Sequence, residues 1–245
     1  MNLRNKNVLI TGIGKGLGKS MVEYFLKSGA YIYGITRTKA DINKFNSHKN
    51  LKLYVGDVRN VKIIRKILKQ SIKDKKIING IVNNAGIRQR SKFEKISSKD
   101  IKNIFDINFF SIFEILKIYM EYVQKNKIKS SVVNVGSIVG ETGFKHLSGY
   151  SATKGALKSL TQCLAVEYAD RGTRFNVLSP GFTETSYFNK FKNKKNLYKW
   201  TLSKIPMSRW GKSDEISSLT AFLISDISSY ITGETINIDG GWIHG

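Results

Sequence analysis

The feature that most constrains the fold is a glycine-rich segment placed between an apolar strand pattern and a helical pattern. Residues 8–10 form a short apolar run, and residues 11–18 follow with the sequence TGIGKGLG. Residues 19–28 then carry apolar side chains at helical spacing. Glycines in such a turn let the backbone approach a pyrophosphate, and the amino end of the following helix favours the anion. The segment predicts an α/β domain that binds a dinucleotide, with a glycine spacing that differs from the commoner G-x-G-x-x-G.

The residues after the second predicted strand, 31–35, indicate which dinucleotide is bound. Folds that prefer NAD carry an acidic residue near the end of this strand, where it holds the ribose 2′-hydroxyl. Thr36 and Arg37 stand there instead. Because Arg37 and Lys15 carry charges that suit a 2′-phosphate, we predict NADP(H) rather than NAD(H). For Lys15, the alternative is an ordinary solvated charge in a lysine-rich protein.

Strand and helix patterns alternate along the rest of the chain. Asn108 lies inside an apolar helical pattern, where we expect it to break the helix locally and hold a water. Ser213 is expected to cap the last helix. The strand patterns lie at residues 51–55, 77–82, 131–135, 175–178 and 235–238, and the helical patterns at residues 61–72, 100–122, 150–168 and 214–225.

A serine, a tyrosine and a lysine are the candidate catalytic residues. Ser137 follows the apolar run at 131–135, so its hydroxyl is expected at the carboxyl end of a buried strand. Tyr150 and Lys154 are spaced to share one face of a helix. A nearby ammonium favours the phenolate, so we expect Lys154, helped by an oxidised nicotinamide, to lower the Tyr150 pKa from about 10 towards 7. Taken alone, the short Tyr-x-x-x-Lys pattern also arises by chance.

Composition narrows the classes of function. At 245 residues and 27.7 kDa the chain suits a single domain, residues 1–245. No apolar run approaches the ~18 residues of a membrane span, and no signal-peptide pattern opens the sequence. The single cysteine, Cys163, cannot form an internal disulfide, so we expect a cytoplasmic protein in which Cys163 packs within a helix. Three scattered histidines form no pattern with metal-ligand spacing, and no metal is expected.

The net charge of +23 arises from 41 Lys and Arg residues against 18 Asp and Glu. These charges are spread along the whole chain, which is not typical of a nucleic-acid-binding stripe, so we expect neither a nucleic acid nor a membrane as a partner. An anionic substrate or an acidic carrier protein remains compatible with the charge.

Residues 186–205 change character, because aromatic residues alternate with lysines without a clean period. We interpret this segment as a lid over a substrate pocket. An ordinary surface excursion is the alternative.

Together these motifs resemble those of the short-chain dehydrogenase/reductase family. TGIGKGLG, GDV, NNAG, Asn108, Ser137, YSATK, PGFTET and ITGETINIDGG occur in the family's order from about residue 6 to residue 242. The resemblance implies a Rossmann-type doubly wound parallel sheet of about seven strands with helices on both faces. It also implies a homotetramer whose interfaces involve the helix around residues 103–122, the Tyr150 helix and the last strand. One departure is Gly14, where many relatives carry serine.

The resemblance also implies a role for each matched residue. Tyr150 would be the acid/base, Lys154 would lower its pKa and hold the nicotinamide ribose, and Ser137 would bind the substrate oxygen. Asn108 would support a proton relay through water to Lys154. Asp57 and Val58 would meet the adenine, and Thr183 and Thr185 the carboxamide and phosphates. The full set of implied cofactor contacts is Gly12, Lys15, Gly16, Leu17, Gly18, Arg37, Asp57, Val58, Asn84, Ala85, Gly86, Tyr150, Lys154, Pro180, Gly181, Thr183 and Thr185.

Two substrate classes fit the remaining motifs. IPMSRWGKSDEI, PGFTET and residues 230–242 resemble 3-oxoacyl-[acyl-carrier-protein] reductases, and Lys127, Lys129 and Arg171 could receive an acidic carrier. The second class is that of sugar, polyol or sugar-acid dehydrogenases. GITRTKADINKF resembles xylulose and carbonyl reductases, and NNAGIRQRSKF resembles gluconate and related sugar-acid dehydrogenases. A surface-polysaccharide pathway would fit this second class. In that second interpretation Arg88 or Arg90 could pair with a carboxylate or phosphate, and His146 could contact a polyhydroxyl substrate. The alternative is that both arginines point to solvent. A binding module that lost its chemistry is a third hypothesis, which the presence of both Tyr150 and Lys154 disfavours.

Overall fold

The computed structural model describes residues 1–45, 47–185 and 188–245, and a parallel sheet lies at its centre. Seven strands are hydrogen-bonded in the order β3-β2-β1-β4-β5-β6-β9, and a small second sheet pairs β7 with β8. The predicted Rossmann-type doubly wound sheet is confirmed. The strands are β1 (Asn7–Thr11), β2 (Tyr31–Thr36), β3 (Leu51–Val55), β4 (Gly80–Asn83), β5 (Ser130–Val135), β6 (Thr173–Pro180), β7 (Thr183–Glu184), β8 (Gly211–Lys212) and β9 (Thr235–Ile238).

Helices cover both faces of the sheet because alternate residues of each strand point to opposite sides. In β1, Val8 and Ile10 pack in the same apolar cluster as Met21 and Ile216, whereas Leu9 packs in a second cluster with Ile64, Ile115 and Leu157. All three side chains are fully buried, and each contributes about 1.5–3 kcal/mol to stability. The helices are α1 (Gly16–Lys27), α2 (Lys39–Ile42), α3 (Val61–Lys73), α4 (Ser98–Phe105), α5 (Ser111–Asn126), α6 (Ser148–Tyr168), α7 (Phe188–Lys192), α8 (Lys195–Lys204) and α9 (Ser213–Ile224).

The strand order fixes where a ligand can enter. β1 lies between β2 and β4, so the chain reverses its direction of progress across the sheet at this point. In open parallel sheets the crevice at such a reversal, outside the carboxyl ends of the strands, is the ligand site. The glycine turn and the ends of β4 and β5 all lie at this edge of the sheet.

A buried chain of side-chain amides connects the sheet to α6. Asn83 Nδ2 donates to Asn134 Oδ1 at 2.8 Å, and Asn134 Nδ2 donates to Thr161 Oγ1 at 2.9 Å. Buried polar groups are costly unless they are paired, so these bonds specify how α6 sits against β4 and β5. Since α6 carries Tyr150 and Lys154, the bonds also position the candidate site.

The structure differs from the sequence expectations at three places. Ser213 does not cap α9: its hydroxyl donates to the Glu184 carbonyl at 2.6 Å, while the Glu215 carboxylate accepts from the Lys212 N–H. Cys163 is exposed on α6 rather than packed, because it lies on the face of this helix turned away from the sheet. β4 begins at Gly80, three residues later than the apolar pattern predicted.

The predicted break at Asn108 is confirmed. A π-helical segment, Asp106–Phe110, separates α4 from α5, and Asn108 lies fully buried within it. Such segments insert one residue into a helix and often mark functional sites.

The predicted lid, residues 186–205, starts with residues 186 and 187, which lie outside the described residues. The described part contains α7 and α8, and an aromatic cluster lies beneath them, with Phe191, Ile205 and Trp210 buried. Trp210 Nε1 donates to Thr201 Oγ1 at 2.9 Å, which attaches α8 to the segment before β8.

Within the described ranges, no helix combines the length and apolar character needed to cross a membrane. The same part of the chain places no group of three or more His, Cys, Asp or Glu side chains where they could hold a metal ion.

Candidate active site

A backbone cradle lies at the amino end of α1. Gly12 and Gly16 have φ angles of +71° and +55°, a left-handed conformation that glycine adopts without the penalty of a Cβ. A Cβ built on Gly18 would lie 2.2 Å from the Gly12 carbonyl oxygen, and one built on Gly12 would lie 2.7 Å from the Ala85 Cα. These glycines therefore let the turn, the amino end of α1 and the segment after β4 pack in close backbone contact, as in turns that bind a dinucleotide pyrophosphate.

Thr11 and Asn84 fasten this cradle to the end of β4. Thr11 Oγ1 accepts hydrogen bonds from the backbone N–H groups of Asn84 and Ala85, both at 3.0 Å. Asn84 Nδ2 donates to the carbonyl oxygens of Thr11 and Gly12, also at 3.0 Å. Thr11 was not among the predicted site residues, although a hydroxyl residue at the end of an apolar strand is a signal for such a contact.

The predicted nucleotide contacts follow the ends of β2 and β3. Lys15 precedes α1 and Arg37 follows β2, and both are exposed. Asp57 is held by Arg59, through bonds of 3.0 Å from Nε and 2.7 Å from Nη2. Arg59, with a smaller effect from the charge of Arg37, holds the pKa of the Asp57 carboxyl below its usual range. The Val58 side chain is buried in the core, and the Leu17 side chain packs against the core while remaining partly exposed.

The segment after β6 closes the cradle from the other side. Thr183 Oγ1 donates to the Gly181 carbonyl at 3.2 Å. A Cβ built on Gly181, which follows Pro180, would lie 2.7 Å from the Asp239 Cα, so this segment runs tightly against the end of β9. A Cβ built on Gly16 would lie 3.6 Å from the Thr185 Cβ, which places Thr185 beside the glycine turn.

Ser137, Tyr150 and Lys154 meet at the carboxyl end of β5. Ser137 begins a short 3₁₀ turn, and its Oγ accepts from the Val139 N–H at 3.3 Å. The Lys154 Nζ lies 5.7 Å from the centroid of the Tyr150 ring. It donates to the Val135 carbonyl oxygen at 2.6 Å, so the buried ammonium is anchored to the strand that leads to Ser137.

The expected direction of the Tyr150 pKa shift is wrong for the protein alone. Burial raises the pKa of Tyr150 above its ordinary value, and a hydrogen bond with Ser137 and the charge of Arg88 offset only part of this. Burial also lowers the pKa of Lys154 to about 8. The dryness of this pocket could not be predicted from the sequence, and in the protein alone desolvation of Tyr150 outweighs the hydrogen bond with Ser137 and the charge of Arg88.

Asn108 acts on the loop after β4. Its Oδ1 accepts from the Ile87 N–H, and its Nδ2 donates to the Ile87 carbonyl, both at 2.8 Å. Nδ2 also lies 3.3 Å from Thr153 Oγ1 on α6. The carboxamide is thus committed to positioning, and the relay through water to Lys154 stays a prediction. A Cβ built on Gly86 would lie 3.2 Å from Asn108 Oδ1, so this glycine makes the close approach possible.

The loop that Asn108 binds contains one cation whose charge affects Tyr150. Arg88 is exposed, and its charge acts on Tyr150, whereas no such effect on Tyr150 comes from Arg90. In the part of the chain that the structure describes, no carboxylate forms an ion pair with Arg88. The His146 carbonyl accepts from the Ser91 N–H at 3.0 Å, so the loop is also fastened to the turn before α6.

Comparison with known proteins assigns the chain to a family. A family model described as Enoyl-(Acyl carrier protein) reductase matches residues 12–243. The chain belongs to the short-chain dehydrogenase/reductase family, whose members are oxidoreductases, as its motifs implied.

More particular similarities point in two directions. The chain is 33% identical over 246 residues to the 3-oxoacyl-[acyl-carrier-protein] reductase FabG of Buchnera aphidicola subsp. Schizaphis graminum, covering 98% of each protein. The solved structure of ElxO with NADP bound has a TM-score of 0.91 and 29% identity, covering 98% of this chain and 99% of that one. A gluconate 5-dehydrogenase from Burkholderia cenocepacia in complex with NADP and tartrate has a TM-score of 0.90 and 25% identity, covering 100% of this chain and 97% of that one.

Proposed function

We propose that the protein interconverts a ketone and a secondary alcohol with NADP(H) as its cofactor. The observation that carries this proposal is the meeting of Tyr150, Lys154 and Ser137 at the sheet edge that also bears the glycine cradle. NADP in two similar structures supports the choice of cofactor.

When bound, NADPH supplies the hydride for the carbonyl carbon. In the reduction of the ketone, Tyr150 donates its phenolic proton to the substrate oxygen, and the Ser137 hydroxyl forms a hydrogen bond with the same oxygen. The raised pKa of Tyr150 keeps the phenol protonated at neutral pH, as an acid in reduction must be. Lys154, which is anchored on the Val135 carbonyl, places a charged donor beside the phenol. The same ammonium would hold the nicotinamide ribose.

For the substrate we propose first a 3-oxoacyl group on an acyl-carrier protein. Similarity to the reductase FabG supports this choice. A groove of about 690 Å³ lined by Lys127, Lys129 and Arg171 offers a basic surface to an acidic carrier. The groove lies at the amino ends of β5 and β6, at the opposite edge of the sheet from Tyr150. A carrier docked there could serve only the active site of a neighbouring subunit.

This arrangement requires a neighbouring subunit, and we propose the homotetramer that the family resemblance implies. Apolar side chains on the outer faces of the π segment, α5 and α6 support it, because Phe110, Phe113 and Val166 are exposed in the subunit. Light scattering tests the assembly, and a monomer in solution would exclude delivery between subunits.

We propose a sugar-acid or keto-acid substrate as the second candidate, and Arg88 is the observation that favours it. A guanidinium beside Tyr150 that has no carboxylate partner among the described residues suits a substrate that carries its own carboxylate. The similar gluconate 5-dehydrogenase structure contains tartrate, a dicarboxylic acid. We further propose that residues 186–205 form a lid over this substrate. Slower amide exchange in residues 188–204 when cofactor and substrate are both present would support the lid, and unchanged exchange would contradict it.

The deciding experiment measures NADPH and NADH oxidation by the purified protein with acetoacetyl thioesters, keto sugars and keto acids, with Tyr150→Phe as the blank. Thioester turnover with NADPH supports the carrier-bound substrate. Turnover of a keto acid alone, with a KM that rises in Arg88→Met but not in Arg90→Met, supports the second candidate. Equal activity of Tyr150→Phe on every substrate would refute the proposed chemistry.

A further inference from the structure

A carboxylate fills the space beside Gly14 in the glycine turn. Asp41 lies in the short helix α2, and a Cβ built on Gly14 would be only 2.2 Å from Asp41 Oδ2 and 2.3 Å from its Cγ. Real Cβ atoms do not approach other atoms this closely, so a side chain at position 14 would displace the Asp41 carboxylate from this place. The turn after β2 therefore docks onto the glycine turn through the Asp41 side chain.

The same carboxylate binds both residues that flank Arg37. Thr36 Oγ1 donates to Asp41 Oδ2 at 2.8 Å, and Thr38 Oγ1 donates to the same oxygen at 2.6 Å. The hydrogen bond from Lys44, together with these two hydroxyl groups, holds the pKa of Asp41 far below its usual range. An ionised Asp41 thus fixes the chain on either side of Arg37.

Lys44 binds both Asp41 and the glycine turn. Its Nζ donates to Asp41 Oδ1 at 2.5 Å and to the Gly14 carbonyl oxygen at 3.2 Å. The side chain is 47% exposed, so one side of the ammonium faces solvent. An ammonium has three N–H donors, and among the described contacts two of them are used.

These residues lie where the fold places the adenosine ribose. In dinucleotide-binding sheets of this type the ribose sits between the first glycine turn and the end of the second strand. Asp41 and Lys44 connect those two walls, through Gly14 on one side and Thr36 on the other. We propose that Lys44 is a third cation of the 2′-phosphate site, beside Arg37 and Lys15, and that Asp41 is the residue that positions it. This inference rests on the proposed preference for NADP(H).

If only the negative charge of Asp41 were considered, its removal would be expected to strengthen binding of a 2′-phosphate. An unpaired carboxylate at this place would repel a 2′-phosphate and would accept a hydrogen bond from a 2′-hydroxyl. Asp41 is instead paired, because its two oxygens accept from Thr36, Thr38 and Lys44. Its removal should therefore release Lys44 and loosen the turn that carries Arg37, rather than improve the site for a phosphate.

Calorimetric binding of 2′,5′-ADP and 5′-AMP tests the proposal without turnover. In Lys44→Met we expect roughly tenfold weaker binding of 2′,5′-ADP and less than about a twofold change for 5′-AMP, as for the loss of one charged hydrogen bond. Lys27→Met removes the same charge from the exposed end of α1 and should change neither affinity. Asp41→Asn should weaken 2′,5′-ADP binding at least about threefold although it removes a negative charge.

The outcomes separate this inference from the cofactor preference beneath it. If the unmodified protein binds 2′,5′-ADP no more tightly than 5′-AMP, the NADP(H) preference is refuted and this inference falls with it. If the unmodified protein does prefer 2′,5′-ADP and Lys44→Met keeps that preference, or if Asp41→Asn tightens it, the positioning role is refuted and the cofactor preference stands.

Discussion

Asn108 and Ile87 form a closed pair of hydrogen bonds, in which one buried carboxamide satisfies both backbone polar groups of the other residue at 2.8 Å. The pair joins the π-helical segment to the loop after β4. Because Arg88 comes next in the chain, this contact also determines where its guanidinium can reach. The irregular helix and the placement of a charge beside Tyr150 are therefore parts of one arrangement.

Asn108→Leu tests that arrangement through stability. The substitution leaves the partly buried Ile87 N–H and carbonyl without their partners, which should cost about 2–6 kcal/mol at about 1–3 kcal/mol for each group. Urea unfolding gives the free energy directly. Asn103→Leu, on the exposed side of α4, is the matched control and should change it by less than about 0.5 kcal/mol. A loss below about 1 kcal/mol in Asn108→Leu would contradict the positioning role.

Tyr150→Phe isolates the proton transfer. The change removes only the phenolic oxygen, so we expect kcat to fall by about 10²–10⁴-fold, the usual contribution of a positioned general acid. NADPH affinity, followed by its fluorescence, should stay within about twofold, because the ring and Lys154 remain in place. Tyr230→Phe, at a fully exposed tyrosine, is the control. Retention of more than a tenth of kcat would exclude Tyr150 as the acid.

Arg88→Met should move the pH dependence of alcohol oxidation. That direction needs the phenolate of Tyr150, whose pKa is raised by burial and lowered in part by the charge of Arg88. Without this charge the pKa of Tyr150 rises further, so the rising limb of kcat against pH should shift towards higher pH. Arg90→Met is the control and should leave the profile in place. A shift towards lower pH in Arg88→Met would be inconsistent with the described geometry.

The sequence was sufficient for the fold and for bringing Ser137, Tyr150 and Lys154 together, because both depend on local features. Strand-turn-helix order and glycine spacing are written in consecutive residues, as are the positions of Ser137, Tyr150 and Lys154. The contacts that were missed join distant segments through side chains. Nothing in the sequence positions of Gly14 and Asp41 predicts that the Asp41 carboxylate occupies the space that a side chain at position 14 would take. The Tyr150 pKa was misjudged for the same reason, because burial depends on the whole packed layer.

Lys154→Met should separate stability from function. The folded pKa of Lys154, about 8, lies below the ~10.5 of a free lysine, so the charged form is disfavoured in the folded state. The unfolded chain therefore binds more protons between these values, and the wild-type protein should gain about 1 kcal/mol of stability from this group between pH 7 and pH 9. Lys154→Met has no such group, so its free energy of unfolding should be higher at pH 7 and should lack this increment. NADPH binding and turnover should fall nonetheless, because the anchored ammonium is lost.

Urea unfolding of the wild-type protein and of Lys154→Met at pH 7 and pH 9 makes the comparison, in which the other titrating groups cancel. An equal pH dependence in the two proteins would show that Lys154 is not buried as described.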